Sequence, residues 1–347
     1  MSELLSQQDR LPDPGSFGVA SLLIYDRKLV RFVPGFASWA KRFHAAYPVT
    51  SGEGLKALER FPRHMAAIGK LCAGLSRTQL VIVSAGGGSV GDFSGFVASV
   101  FQRGVRLVHV PTTWLAAIDS AHGGKTALNV GGIKNQVGTF HPAERVILVR
   151  DVLVSQPEVR AREAMGELAK TALLDRGLYR KITTAKRASK TLGVAELWKF
   201  LPAAIGVKNK IVRQDPYERL GIRHLLNLGH SIGHALEAFH KIPHGSAVGQ
   251  GLWFSLEFSH KKGWLSPKDR AELGSRLTQD FGIVNLAGVL PRLPKSRLEE
   301  LLARDKKVSS QGIIRWIALL GAGEARAVEL PISELVRESI RQGWASR

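Results

Sequence analysis

The sequence predicts an α/β domain with a parallel sheet, followed by a mainly α-helical domain. Short β-branched runs alternate with helical spacing up to about residue 150, and helical patterns dominate after it. The length of 347 residues exceeds the size at which a single core usually stops growing. We therefore expect a first domain at residues 1–150 and a second at 151–347.

Four apolar runs in the first half predict buried parallel strands. They cover residues 20–25, 79–84, 105–110 and 145–149, and each is bounded by glycine, proline or charged residues. Residues 55–75 and 93–104 have helical spacing. In the second half, helical patterns cover residues 163–182, 225–239 and 296–307, and a short strand pair is expected near 313–320 and 325–330.

Composition narrows the class of protein. Hydrophobic residues make up 44% of the chain and charged residues 22%, which is typical of a globular protein. Because Cys72 is the only cysteine, neither an intrachain disulfide nor a thiolate metal cluster can form. No apolar run of about 18 residues occurs, and the start of the sequence is polar. These features predict a cytoplasmic protein with no membrane partner.

The formal net charge of +20 raises the question of a nucleic-acid partner. Lysine and arginine are spread along the chain, and no zinc-finger, RNP or basic-zipper pattern accompanies them. We therefore expect no nucleic-acid partner. Part of the charge is expected to attract a small anionic substrate, and the rest to be solvated surface.

A glycine-rich segment follows the second predicted strand. The strand runs into Gly86, Gly87 and Gly88, and a helix is expected to begin shortly after Asp92. Glycines allow the backbone to approach a phosphate closely, and free N–H groups at a helix start favour negative charge. The segment predicts a pyrophosphate cradle, since open α/β sheets bind dinucleotides at such a strand end. The alternative is a turn with only a packing role.

Polar residues also follow the third predicted strand, on segments that read as glycine-punctuated loops. They are Thr112, Thr113, Asp119, Lys125, Lys134 and Asn135. Lysine and asparagine can grip phosphate or carboxylate, and an aspartate can act as a base. Ordinary solvated surface is the competing interpretation.

Three of the histidines between Leu225 and Gly245 are placed where a metal or phosphate site could use them. His230 and His234 are four residues apart and share one face of a helix, and His244 follows in a Pro-His-Gly turn. Neutral imidazole is a common ligand of zinc-like ions. The spacing alone pairs His230 with His234 on a metal, although surface or core histidines have the same spacing.

Eight motifs in order resemble those of the 3-dehydroquinate synthase family, within the sugar-phosphate cyclase superfamily. They span roughly residues 51–320 and read GGGSVGDFSGF, RGVRLVHVPTT, IDSAHGGKTALN, KNQVGTFHP, GELAKTALL, GIRHLLNLGHSIGHALE, HGSAVGQG and RDKKV. The resemblance implies a Rossmann-like amino domain, an α-helical carboxyl domain, dependence on NAD and on zinc or cobalt, and a homodimer.

The resemblance also implies the reaction. The enzyme would be a carbon–oxygen lyase that converts 3-deoxy-D-arabino-heptulosonate 7-phosphate to 3-dehydroquinate and phosphate. The steps would be transient oxidation by NAD, phosphate elimination, re-reduction and intramolecular aldol closure. This reaction belongs to the shikimate pathway, which supplies chorismate and the aromatic amino acids.

Site residues carry over from the family motifs. The implied metal ligands are Glu167, His230 and His244, with His234 placed near the phosphate as a proton-transfer group. The substrate residues would be Asp119, Lys125, Lys134, Asn135, Lys170, Lys208, Arg223, Asn227 and Lys306, with Lys208 and Arg223 on the carboxylate. Arg103 would reach the neighbouring active site of the dimer. For NAD, the resemblance implies Glu53, Lys56, Gly86, Gly87, Gly88, Asp92, Thr112, Thr113, Lys125 and Lys134, and less directly Asp26.

The sequence departs from the family pattern in three places, one of which is Val154 and Ser155, where a basic residue and a threonine are commoner near a cofactor contact. The segment before residue 51 matches poorly, and Ser246 stands where a carboxylate usually follows His244. Related cyclases that act on sedoheptulose 7-phosphate or glucose 6-phosphate are the first alternative, although Arg223, Asn227 and Lys306 favour a carboxylated substrate. Iron-type alcohol or glycerol dehydrogenases and a non-enzymatic binding protein are the others.

Overall fold

The computed structural model describes residues 4–18, 20–185, 191–303 and 312–346. The chain divides into two compact units, Met1–Arg160 and Ala161–Arg347. The boundary expected at residue 150 precedes this division, and a short helix at Arg150–Val154 lies between the two positions.

The strands of the first unit alternate with mostly short helices. Its strands are β1 (Leu4–Gln8), β2 (Ala20–Asp26), β3 (Ala45–Val49), β4 (Leu80–Gly86), β5 (Arg106–Pro111), β6 (Lys125–Val130), β7 (Ile133–Phe140) and β8 (Arg145–Val149). Its helices are α1 (Leu29–Phe32), α2 (Phe36–Ala40), α3 (Phe61–Leu71), α4 (Gly88–Val100) and α5 (Arg150–Val154).

Six strands of the described part of this unit form one parallel sheet, in the order β1-β8-β5-β4-β2-β3. The four predicted strands are β2, β4, β5 and β8, which lie in the interior of the sheet. Every residue of β4 is buried, as a strand covered on both faces requires. The edge strands β1 and β3 were not predicted, because they are half exposed and carry no continuous apolar run.

Two predicted helices begin elsewhere than expected. The helix expected over residues 55–75 is only Phe61–Leu71, with Pro62 in its first turn, and 3₁₀ turns at Glu53–Lys56 and Leu58–Arg60 precede it. The expectation that a helix begins after Asp92 was wrong, because α4 begins at Gly88. Its glycine-rich first turn has weak helix propensity, and packing against the sheet overrides that propensity.

The segments that read as loops after Gly124 are an antiparallel hairpin. Lys125 is the first residue of β6, and Lys134 and Asn135 lie on β7. The hairpin turns at Gly131 and Gly132, whose φ values of 55° and 78° suit a two-residue turn of type I′. The pattern was missed because almost every residue of β7 is exposed, so apolar and polar residues do not alternate.

The second unit is mainly helical. Its elements are α6 (Glu158–Leu174), α7 (Arg176–Ala185), α8 (Val194–Gln214), α9 (His230–His240), α10 (His244–Lys261), α11 (Pro267–Gln279), α12 (Lys295–Ala303), β9 (Ile313–Gly321), β10 (Glu324–Pro331) and α13 (Ile332–Gln342). The helical pattern at 163–182 is two helices, separated at Asp175, whose Oδ1 caps Leu178 N–H at 2.8 Å. β9 and β10 form the expected strand pair. Among the described residues, no helix has the length and apolar character needed to cross a bilayer.

Candidate active site

In the first unit, β4 ends in a tight backbone turn at Gly86–Gly88, called here the glycine turn. A Cβ atom on Gly86 would lie 2.5 Å from Val90 Cβ, and one on Gly87 would lie 3.1 Å from Thr113 Cγ2. None of the three has a positive φ, so close approach and not backbone conformation requires glycine here. Since α4 begins at Gly88, its first N–H groups belong to this turn and favour an anion.

The segment after β5 packs beside the glycine turn. Thr112 N–H donates to Gly86 O at 2.9 Å, and Ser120 Oγ would lie 3.2 Å from a Cβ on Gly88. Asp119 lies in a single π-helical turn, Ala116–Ser120, a local feature that often occurs at functional sites. Lys125 is exposed at the start of β6.

A buried lysine joins three elements of the first unit. Lys56, only 3% exposed, donates from Nζ to Asp92 Oδ2 and to Asn135 Oδ1, each at 2.5 Å. Asn129 Oδ1 accepts Asn135 N–H at 3.0 Å, and its Nδ2 donates to Glu53 Oε2 at 2.8 Å. The network links the 3₁₀ turn at Glu53–Lys56, helix α4 and the hairpin, and it brings together several predicted residues.

Charge in this network perturbs one carboxyl group. Burial raises the pKa of Asp92, although the Lys56 ammonium beside it acts in the opposite direction. Glu53 and Asp119 add negative charge that raises the Asp92 pKa further. Lys134 Nζ lies 3.6 Å from Glu53 Oε1, at the exposed side of the same group of residues.

In the second unit, Glu167 and Lys170 lie one turn apart on α6. Both side chains are buried, at 1% and 3% exposure, and Lys170 Nζ lies 2.5 Å from Glu167 Oε2. A buried carboxylate requires such compensation, because an unpaired charge in the protein interior is strongly disfavoured.

The other oxygen of Glu167 faces two histidines. Its Oε1 lies 3.5 Å from Nε2 of His230 and 3.5 Å from Nε2 of His244. His230 is the first residue of α9 and His244 the first of α10. Three helices therefore each supply one donor atom to the same small volume.

Glycines permit this approach of α6 and α10. A Cβ atom on Gly166 would lie 1.9 Å from Gly245 O, and a Cβ atom on Gly245 would lie 1.7 Å from Glu163 O. Real Cβ atoms do not come so close to a backbone oxygen. Because Glu167 and His244 are the neighbours of these glycines, the backbone contact sets the separation of the two side chains.

Both imidazole rings are oriented through Nδ1. His230 Nδ1–H donates to Leu228 O at 3.1 Å, and His244 Nδ1–H donates to Glu237 Oε2 at 2.7 Å. Burial alone would lower the pKa of His244, but hydrogen bonds with Glu167 and Glu237 outweigh it and raise the pKa to about 10. Without a cation, this imidazole is therefore protonated at neutral pH.

His230, His234 and His244 form what we call the histidine cluster. Their nearest ring nitrogens all lie within 4.8 Å of one another, and the His234 ring centroid lies 5.2 Å from that of His230 and 5.7 Å from that of His244. His234 is exposed, whereas His230 is buried. The pairing of His230 with His234 from spacing and the set that includes Glu167 both remain geometrically available.

The predicted substrate cations that the structure describes in this unit, Lys170, Lys208 and Arg223, are buried. Lys208 lies on α8, while Arg223 and Asn227 lie in a 3₁₀ turn at Ile222–Asn227 that packs against α8. Arg223 Nη1 donates to Pro216 O at 2.9 Å. Lys306 lies outside the described residues. In the first unit, Arg103 is exposed and has a positive φ of 65°.

Four residues that shape these groups were not selected from the sequence: Ser120, Asn129, Asp215 and Glu237. Asp215 accepts backbone N–H groups of Arg219, Leu220 and Arg223, at 2.7–3.3 Å. Burial alone would raise the pKa of Asp215, but these bonds lower it. A signal existed only for Glu237, which follows His230 by seven residues and so lies on the same helix face.

The donor set fits a divalent cation. Ligand atoms of a tetrahedral zinc ion lie roughly 3.4 Å apart, because each lies about 2.0–2.1 Å from the metal. The 3.5 Å separations of Glu167 Oε1 from the two Nε2 atoms match that spacing. Two imidazoles and one carboxylate suit zinc or cobalt and leave a coordination position open for an oxygen ligand.

Comparison with known sequences gives the family. A model described as 3-dehydroquinate synthase N-terminal matches residues 46–163, and one described as 3-dehydroquinate synthase C-terminal matches residues 164–308. The 3-dehydroquinate synthase of Dehalococcoides mccartyi is 39% identical over 255 residues, covering 72% of this chain and 68% of the relative. That of Rhizobium leguminosarum bv. trifolii is 34% identical over 302 residues, covering 84% and 78%.

Solved structures confirm the predicted fold class. A 2-deoxy-scyllo-inosose synthase complexed with carbaglucose-6-phosphate, NAD⁺ and Co²⁺ has a TM-score of 0.78 at 22% identity, over 98% of this chain and 96% of that one. A 2-epi-5-epi-valiolone synthase from Streptomyces hygroscopicus with NAD⁺ and Zn²⁺ has a TM-score of 0.78 at 21% identity, over 99% and 97%. A probable glycerol dehydrogenase from Sinorhizobium meliloti has a TM-score of 0.61 at 14% identity, over 99% and 97%. At these identities the likeness shows the fold alone.

The family models together cover residues 46–308, which include the glycine turn, the Lys56 network and the histidine cluster. The chain belongs to the 3-dehydroquinate synthase family.

Proposed function

We propose that this protein is a 3-dehydroquinate synthase that converts 3-deoxy-D-arabino-heptulosonate 7-phosphate to 3-dehydroquinate and phosphate. The observation that carries the proposal is the position of Glu167 Oε1, 3.5 Å from Nε2 of both His230 and His244. Relatives of that name at 34–39% identity support it. A cytoplasmic location, expected from the single cysteine, belongs to the same proposal.

Glu167, His230 and His244 would hold a zinc or cobalt ion, and the glycine turn with Asp92 and Thr112 would hold NAD. When bound, the ion supplies Lewis acidity towards a substrate oxygen, and NAD supplies reversible acceptance of hydride. The solved structures of related fold bind NAD⁺ with Co²⁺ or Zn²⁺, which supports this cofactor pair.

The chain's own residues would bind the substrate and move protons. His234 lies at the exposed side of the histidine cluster, where an imidazole near neutral pH can take or give a proton as phosphate leaves. Lys208 and Arg223 are buried cations suited to the substrate carboxylate, which Arg223 can bind with a planar fork.

The carboxylate of the proposed substrate distinguishes the proposed reaction from its alternatives. Sedoheptulose 7-phosphate and glucose 6-phosphate lack the group, so an enzyme for either has no need of buried Lys208 and Arg223. Alcohol and glycerol dehydrogenases do not need cationic residues that bind both a phosphate and a carboxylate. The identity of 14% with the glycerol dehydrogenase leaves only the shared fold in their favour.

A homodimer is a further part of the proposal. Arg103 follows α4 on the surface of the first unit, in a backbone conformation that non-glycine residues rarely adopt. We propose that it contributes to the active site of a neighbouring subunit. Complementation of an inactive H244A chain by an inactive R103A chain in mixed dimers is the expected result.

The deciding experiment is a coupled assay on the purified protein with NAD and Co²⁺. Phosphate should be released from the heptulosonate phosphate in step with 3-dehydroquinate, and NADH should not accumulate, since hydride returns to the product. Accumulation of NADH would instead identify a dehydrogenase, and turnover of sedoheptulose 7-phosphate alone would identify a sister cyclase.

Two histidine variants test the ligand set. H244A should lose metal retention, whereas H234A should retain metal and lose turnover, by about 10²–10⁴-fold for a general acid or base. H260A, at the other end of α10, is the control and should behave as wild type in both respects. Loss of metal from H234A, with retention in H244A, would show that the spacing-based pair is the ligand pair.

A further inference from the structure

The His244 ring lies between two carboxylates. Its Nε2 is 3.5 Å from Glu167 Oε1, and its Nδ1 is 2.7 Å from Glu237 Oε2. The two nitrogens point in different directions from the ring, so α6 faces one side of the imidazole and α9 faces the other. A ring held at Nδ1 can present only Nε2 to a cation.

Glu237 is not placed to be a ligand itself. Its Oε2 accepts the Nδ1–H of His244, on the side of the ring away from Glu167. The side chain of Glu237 is 31% exposed, whereas that of Glu167 is 1% exposed. The two carboxylates therefore differ in environment as well as in the nitrogen that they face.

His230 and His244 need orientation to different degrees. The side chain of His230 is 10% exposed, and its Nδ1–H donates to a neutral carbonyl, Leu228 O. Both residues begin a helix, but the side chain of His244 is more exposed, at 26%. His244 instead has a carboxylate on Nδ1, and such a partner both fixes the ring and makes Nε2 a stronger donor.

We propose that Glu237 is a positioning residue, which fixes His244 with Nε2 towards Glu167 and so strengthens binding of a divalent cation at Glu167, His230 and His244. This inference rests on the metal site in the proposed function. It assigns to the carboxylate an effect on metal affinity that is separable from turnover.

The test is Co²⁺ binding by the full-length variants E237Q and E237A, followed by visible absorption and by competition with a chelator of known affinity. E237Q keeps a hydrogen-bond acceptor but loses the charge, so the Kd should rise about tenfold, and for E237A it should rise about a hundredfold. The ¹⁵N resonance of His244 Nδ1 in the metal-free protein should change in both variants.

E257Q is the matched control. Glu257 lies on α10, as His244 does, and pairs with Arg270 at 2.5 Å far along the helix. Its neutralisation should leave the Co²⁺ Kd and spectrum unchanged. Thermal unfolding shows whether each variant is folded, and if E237A is not, the near-isosteric E237Q decides.

The outcomes separate this inference from the proposed function. Wild-type Kd and spectrum in the glutamate variants, while the wild type binds Co²⁺ tightly, would overturn the positioning effect and leave the metal site standing. An equal loss in E257Q would also overturn it, since the effect would then be general. A wild-type protein that binds no Co²⁺ would overturn both.

Discussion

The glycine turn of the first unit and the histidine cluster of the second are built from different parts of the chain. The glycine turn offers backbone N–H groups at the end of a strand, and its residues are contiguous. The ligand set of the second unit uses side chains from three helices, since Glu167 lies within α6 while His230 and His244 begin α9 and α10. The glycine turn depends on the absence of side chains, which would otherwise block its backbone. The ligand set depends instead on how helices α6, α9 and α10 pack.

The largest effect is expected from a substitution that disrupts the close contact between α6 and α10. G166A places a methyl group 1.9 Å from Gly245 O, and no side-chain rotation relieves a backbone clash. We expect a loss of about 3 kcal/mol in the free energy of unfolding and an increase of about a hundredfold in the Co²⁺ Kd. Urea unfolding and Co²⁺ titration measure the two effects.

Its control is another helical glycine of the same unit. Gly206 on α8 has no atom within 4 Å of an added Cβ, so G206A should bind Co²⁺ normally and gain up to about 1 kcal/mol. Normal metal binding by G166A would show that the ligands tolerate separation of α6 and α10.

The next effect concerns the glycine turn. G86A places a methyl group 2.5 Å from Val90 Cβ and displaces the start of α4. We expect NAD affinity to fall about 5- to 150-fold, because that is the factor to which a distortion of about 1–3 kcal/mol corresponds. Calorimetric titration with NAD measures the loss, and Co²⁺ binding in the second unit should be unchanged.

G69A is the control for this prediction. Gly69 on α3 has no atom within 4 Å of an added Cβ, so NAD binding should persist. If G86A bound NAD as the wild type does, the glycine turn would have only a packing role.

The same contrast explains what the sequence could predict. The strands β2, β4, β5 and β8 and the glycine turn follow from local patterns, because apolar runs and adjacent glycines are read from neighbouring residues. The set of Glu167, His230 and His244 followed only from the family resemblance. Helical spacing relates only residues of one helix, and it therefore favoured the pair of His230 and His234. That set stays a prediction until metal binding is measured.

Other features were missed for physical reasons. The hairpin β6–β7 has exposed residues along β7, so burial imposes no alternation on its sequence. The start of α4 at Gly88 results from packing that outweighs the low helix propensity of glycine. The bond from His244 to Glu237 joins two helices across a turn, and neither residue alone indicates it.

The smallest expected effect concerns the pH dependence of the free energy of unfolding. A buried carboxylate in each unit contributes to it, with opposite sign. Burial alone would raise the pKa of Glu338 on α13, but hydrogen bonds from Arg341, Gln342 and Lys261 lower it. Burial raises the pKa of Asp92 in the first unit. The ionised Glu338 therefore stabilises the fold at pH values above its unfolded pKa. This contribution is lost as the pH falls through the lower folded pKa. For Asp92, whose folded pKa is raised, the contribution of the ionised group to stability has the opposite sign.

We expect E338Q to cost on the order of 1 kcal/mol at pH 7, because its partners are half exposed and partly screened. The cost should shrink as the pH falls below the ordinary glutamate pKa and through the lower folded pKa, where wild-type Glu338 also becomes neutral. Urea unfolding of both proteins at several pH values measures it. A cost independent of pH would mean that packing and not charge is responsible.

The order of strands in the sheet has a consequence for synthesis on the ribosome. Leu4 to Gln8 pair with Arg145 to Val149, so β1 reaches its partner only after nearly all of the first unit has been translated. At about 5–20 residues per second, that interval is about 7–30 seconds. The nascent β1 has no partner strand during this time, and its sequence LLSQQ, with three polar residues of five, lowers the risk of pairing with another chain.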